Sequence, residues 1–201
     1  TLGVAFHAVQ DVAEVHLNDW VGIQGAGPIG LCALAVAKAA GAFVVQFDAV
    51  DYRLDAAKKM GADATVNVSR EDPLVQVAEL TQGRGLDKIL EAVGGNQDVT
   101  LQQASQLIKR GGLIVAVGTF GENKATLRIV EFKDREMTLK GSRGHPGAFP
   151  HCIRLVRSGK VCLEQMLTHR IPLEEAEEGL KMMEEKRGGA IKGILEPHGP
   201  G

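Results

Sequence analysis

The chain has 201 residues, 44% of them hydrophobic and 24% charged, with a formal net charge of −2. That balance suits a globular chain with a sizeable core and argues against a broad basic face for nucleic acid. The longest apolar run, LCALAVAKAAGAFVV, carries Lys38 and falls short of a membrane span.

In chain order, 1–15 reads as a leading helix and WVGIQ (20–24) as a strand. PIGLCALAVAKAAG (28–41) reads as a helix so apolar all round that it must be sandwiched in the core. The alternation continues with strand 43–48, helix 51–62, strand 64–68 and helix 71–83, the last with Pro73 in its first turn. Strand 86–93, helix 96–112, strand 113–118 and strand 136–142 complete it.

Strict alternation with short connections predicts an α/β fold with a doubly wound, parallel, six-stranded sheet covered by helices on both faces. LIVAVG, apolar throughout, should lie inside that sheet. In the 136–142 stretch Met137 and Leu139 alternate with Thr138 and Lys140. This suits a half-covered edge strand able to pair with a second copy of the chain. Beyond Gly144 the character changes to a helix (145–160), an extended piece (167–172), an acidic helix (173–189) and a closing strand (190–197). The apolar face of that acidic helix would be Leu173, Ala176, Leu180 and Met183. The expected division is a dinucleotide-binding domain over 1–145 and a C-terminal segment over 146–201.

The stretch Gly25-Ala26-Gly27-Pro28-Ile29-Gly30 fits G-x-G-x-x-G. Gly25 permits a tight turn, Gly27 lets backbone approach a pyrophosphate, and Gly30 lets the helix pack closely on the sheet. Alone, the motif reads equally well as a plain strand-to-helix turn. Here it leaves a predicted strand, opens a predicted helix and precedes a second strand ending in Asp48, about 20 residues on, where an acid would accept the ribose hydroxyls. Asp51 is better placed than Asp48 to cap the following helix. A carboxylate at Asp48 repels a 2′-phosphate, by up to roughly 4 kcal/mol for unit charges ~4 Å apart near a protein surface. The expected dinucleotide is therefore NAD, with Arg53 the one residue that softens the preference.

GAGPIGL…AKAAGA, FDAVDYRLDAAKKMGAD, GGLIVAVG, KGSRG and LTHRIPLEEAEEGL, in this order, resemble the zinc-type medium-chain alcohol and polyol dehydrogenases, sorbitol, butanediol and threonine dehydrogenases among them. The resemblance covers nearly the whole chain. It implies a Rossmann-type domain in which Gly25, Gly27, Pro28, Ile29 and Gly30 line the pyrophosphate and Asp48 and Arg53 the adenosine ribose. Val93, Val117, Gly118 and Thr119 would lie along the cofactor toward the nicotinamide, with Ser142 and Arg143 as further contacts. It implies a small alcohol or polyol substrate, NAD as cofactor and a cytoplasmic setting, which the three scattered cysteines, read as reduced thiols, also suggest.

In the resembled family a GroES-like domain on the amino-terminal side holds the catalytic zinc. Thr1 aligns just after the last zinc-site acid, so it is expected to be a cut. The segment 146–201 would then show an apolar face normally covered by that domain. His145, His151, Cys152, Cys162 and His169 are read as surface or packing residues, because adjacent helical side chains diverge too far to share a metal. Two other functions compete: a non-catalytic dinucleotide-binding module, and a zinc-free, NADPH-using quinone-reductase-like relative.

Overall fold

A computed structural model describes residues 1–95, 97–122, 124–185 and 187–197. Six parallel strands form one sheet: β1 (Trp20–Gln24), β2 (Phe43–Asp48), β3 (Ala64–Asn67), β4 (Leu86–Glu91), β5 (Ile108–Ala116) and β6 (Thr138–Gly141). Their order is β3-β2-β1-β4-β5-β6. The chain thus runs outward from β1 to one edge, returns, and runs outward again from β4. That reversal leaves a crevice at the carboxyl ends of β1 and β4.

Helices fill both faces. On one lie α1 (Leu2–Phe6), which continues as a π-helical turn over His7–Val12, α2 (Pro28–Ala39) and α3 (Asp51–Lys59). On the other lie α4 (Pro73–Thr81), α5 (Gln97–Leu107) and α6 (Ile129–Asp134). Each face has its own core: Leu31, Leu34, Val36 and Ile23 on the α2 side, and Phe47, Ile89, Leu101 and Ile114 on the α5 side. Every residue of α2 from Gly30 to Ala37 is buried, as its all-round apolar pattern requires.

Several boundaries depart from the sequence reading. The helix expected to reach Gly112 ends at Leu107, and β5 begins at Ile108. Ile108 already pairs with Leu86, and the register then shifts so that Lys88 pairs with Leu113. Residues 109–112 bulge out between these pairs, turned by Gly111 at φ +70. β4 stops at Glu91, which leaves Ala92 and Val93 in the loop. Helix α6 was not foreseen, although a crossover between the parallel strands β5 and β6 needs such an element. Cover of the edge strand reaches only Met137, which is buried; all four residues of β6, Leu139 included, are exposed.

The C-terminal segment contains α7 (Phe149–Arg157), β7 (Leu167–Pro172), α8 (Ala176–Glu184) and β8 (Lys192–Glu196), with β7 and β8 paired in parallel as a second, two-stranded sheet. It is anchored on the α2 side. Met166 and Ile191 enter that core, the Tyr52 hydroxyl donates to the Ala190 carbonyl at 3.2 Å, and Phe6 stacks on His151. The expected apolar face of the acidic helix is split. Gly179 rests directly on Ile171, whereas Leu173 and Leu180 are exposed. Phe149, Ile153 and Val156 on α7 are exposed as well. Residues 198–201 lie outside the described residues.

Candidate cofactor site

The crevice at the carboxyl ends of β1, β2 and β4 holds a cavity of about 480 Å³. The glycine loop forms one wall. Gly25 has φ +92, and a Cβ there would meet the Ala92 carbonyl and Val93, so only glycine makes this turn without strain. A Cβ on Gly30 would stand 1.8 Å from the Gly25 carbonyl oxygen, which forces glycine where α2 packs beneath its own loop. Gly27 is the opposite case. Nothing lies within 4 Å of its missing Cβ, and it lines the cavity. Its bareness leaves room for a ligand. Pro28 begins α2 and spends no N–H there, while Ile29 and Gly30 follow in the first turn, whose N–H groups and positive dipole end favour an anion.

Asp48 sits at the end of β2, beside the glycine loop, and lines the cavity. Its Oδ2 accepts from the Ala26 N–H at 2.7 Å and its Oδ1 from the Val50 N–H at 2.9 Å. Two backbone donors thus fix the carboxylate, and each oxygen keeps a lone pair for a ligand hydroxyl. Asp51, expected to cap α3, does not: its Oδ1 accepts from Asn67 Nδ2 at 2.7 Å and from Arg70. Arg53 on α3 lines the same cavity, with its guanidinium over the Tyr52 ring. Val93 lines the opposite wall, together with Ala92 and Gly94.

Val117, Gly118 and Thr119, by contrast, lie further along the same sheet edge and do not line this cavity. The N–H groups of Val117 and Gly118 donate to the Glu91 carbonyl, and the Thr119 carbonyl accepts from the Gly95 N–H. The Ser142 N–H ties the end of β6 to the Ala116 carbonyl, and Arg143 beside it is exposed. The structure therefore gathers Gly25, Gly27, Asp48, Arg53 and Val93 in one cleft and sets the β5 and β6 residues apart from it.

The sequence reading missed a buried polar network under α5. Gln24, at the last position of β1, donates through Nε2 to the Thr100 carbonyl at 3.0 Å and to Gln103 Oε1 at 2.9 Å. Its register partner on β4 is Glu91. The Glu91 carboxyl is fully buried and accepts from the Val93 N–H at 3.0 Å and the Thr100 hydroxyl at 3.1 Å. Burial pushes this carboxyl above the usual carboxylate range, against the pull of hydrogen bonds from Thr100 and Val93. On the other face of the sheet Gln46 donates to the Ile23 and Gly25 carbonyls, at 3.1 and 2.8 Å, and so holds the glycine loop. The available signal was a polar residue at or near the end of each of three adjacent apolar strands.

The described residues bring no three His, Cys, Asp or Glu side chains together in a way that could hold a metal, so no step through zinc is assigned to them. His151 lies by Arg154, and His169 by Thr168.

Residues 28–158 match the family model for zinc-binding dehydrogenases. The chain is 35% identical to the D-arabitol-phosphate dehydrogenase of Enterococcus avium, over 97% of this chain and 55% of that one. It superposes on the 2R,3R-butanediol dehydrogenase of Bacillus subtilis with a TM-score of 0.88 and 30% identity, covering 98% of this chain and 56% of the other. A short chain alcohol dehydrogenase from Escherichia coli CFT073, solved with its cofactor NADH, gives a TM-score of 0.87 at 26% identity, with 96% of this chain and 57% of that one covered. The chain spans about half the length of the curated relatives it matches. With a family model matching residues 28–158, well over half of its length, the chain belongs to the zinc-binding dehydrogenase family.

Proposed function

We propose that this chain is the NAD-binding portion of a zinc-type alcohol or polyol dehydrogenase, in which a secondary alcohol and NAD exchange a hydride. The observation that carries this reading is the meeting of Gly25, Gly27 and Asp48 in one cleft at the switch point of the sheet. Bound there, NAD would supply the ring that takes up the hydride. The residues of the chain bind and orient it. Gly27 and the first turn of α2 would take the pyrophosphate, Asp48 would accept the ribose hydroxyls, and Val93 would cover the cofactor. Val117, Gly118, Thr119, Ser142 and Arg143 would serve the nicotinamide half.

Titration of the protein with NADH and NADPH tests this. The expected outcome is NADH binding at least tenfold tighter, about 1.4 kcal/mol, with Asp48→Ala narrowing the gap. Failure of both dinucleotides to bind would overturn the reading, and a preference for NADPH would overturn the role of Asp48.

The same reading assigns 1–145 to cofactor binding and 146–201 to packing against a catalytic domain. It takes a small alcohol or polyol as substrate. A cytoplasmic setting fits the three free thiols of Cys32, Cys152 and Cys162. The exposed strand β6 would pair with a second copy around Met137–Ser142.

A further inference from the structure

We propose that Gln24 selects the base of the bound dinucleotide by accepting a hydrogen bond from the 6-amino group of adenine. This inference rests on the reading of the cleft as a dinucleotide site and adds a residue that discriminates within it.

The cleft continues beyond Asp48 as an apolar slot. Its apolar lining comes from Phe47 on β2, Ala49 and Val50 after β2, Val68 after β3, and Ala92 and Val93 after β4. Such walls suit the faces of a flat heterocycle. A ribose held by Asp48 and a pyrophosphate held by Gly27 leave this slot for the base. Gln24, Thr100 and Gln103 line the same cavity, and they are polar where the walls are not.

Gln24 is 2% exposed. Both hydrogens of its amide nitrogen are committed, one to the Thr100 carbonyl and one to Gln103. The backbone acceptor at Thr100 settles which end of the amide is nitrogen, because a carbonyl there would face a carbonyl. Gln24 Oε1 is buried and has no partner among the described residues. A buried acceptor without a donor is costly, and Gln24 is one of the residues that line the cavity. A ligand that brings an N–H to it relieves the cost, and one that brings a second carbonyl adds to it. At the six position adenine carries an N–H donor and hypoxanthine a carbonyl. Sites built to hydrogen-bond a ligand group reject the analogue lacking it more strongly than apolar pockets reject a missing methylene.

The test is fluorescence titration of the 201-residue protein with NADH and two analogues. In one analogue hypoxanthine replaces adenine, and in the other an unsubstituted purine does. NADH is expected to bind at least tenfold tighter than the hypoxanthine analogue, with the purine analogue between them, and Gln24→Met is expected to bring the three within about threefold. Equal binding of all three by the wild-type protein overturns the proposal and leaves the NAD reading standing. A preference that survives in Gln24→Met overturns it too, since another group then reads the base. If Gln24→Met fails to fold, the wild-type affinity order of NADH, purine and hypoxanthine decides alone. Binding of none of the three is the separate failure of the NAD reading.

Discussion

The two ends of the central sheet handle buried polar groups in opposite ways. At the amino end, Asp87 at the start of β4 is 6% exposed and fully engaged. It accepts from the Trp20 N–H at 2.7 Å, from Arg84 Nη2 at 3.0 Å and from Lys109. At the carboxyl end, Gln24 Oε1, Gln46 Oε1 and Glu91 Oε2 are buried without partners among the described residues. The first arrangement closes the sheet and stabilises it. The second leaves acceptors unmet, and one of them belongs to Gln24, which lines the cleft where a ligand can bind.

The two carboxyls accordingly titrate in opposite senses. Burial tends to raise Asp87, but the hydrogen bonds from Lys109 and Trp20 and the charges of Lys109 and Arg84 outweigh it and hold it below the usual carboxylate range. Its contribution to stability is present above the unfolded-state value and is lost as pH falls through the lower folded one. Glu91 is raised, so its contribution is complete below the unfolded-state value and is lost as pH rises through the folded one.

The largest expected effect therefore belongs to the amino end. Asp87→Asn should cost about 3 kcal/mol near pH 7, a fall of roughly 6–12 °C in Tm, with dinucleotide affinity nearly unchanged. Denaturant titration should show the gap to wild type closing in acid. A loss under about 0.5 kcal/mol would break the comparison.

Glu91→Gln is expected to be milder. Its stability should lie within about 1 kcal/mol of wild type near pH 7, and the advantage of wild type should grow as pH falls toward 5. A pH-independent difference would show that Glu91 is ionised throughout that range. The smallest change is expected for Thr100→Val, about 1 kcal/mol or less from one lost hydrogen bond. It should also steepen the pH dependence attributed to Glu91, because a donor to the ionised form is gone.

Much of the fold was legible because strand and helix periods alternate cleanly. The all-round apolar pattern of Pro28–Ala39 announced a sandwiched helix, and Gly25, Gly27, Gly30 and Asp48 announced the cradle. Legibility failed where local pattern and long-range pairing disagreed. Ile108 continues the helical pattern of α5, yet Leu86 recruits it into the sheet. Helix α6 has six residues and one buried side chain, Phe132, too short a signal for periodicity to detect. Leu180 and Ile153 belong to apolar patterns like those of the core, but no element among the described residues covers them.

By itself the sequence determined the order of the elements, the parallel sheet and the positions where only glycine fits, because these depend on residues close in the chain. Only the tertiary structure decided which of the expected site residues share a cleft. It also decided that Asp48 is held by Ala26 and Val50, and that Gln24, Thr100 and Glu91 form one network. The last of these depends on strand order and register, which bring residues some 70 positions apart within reach of one another.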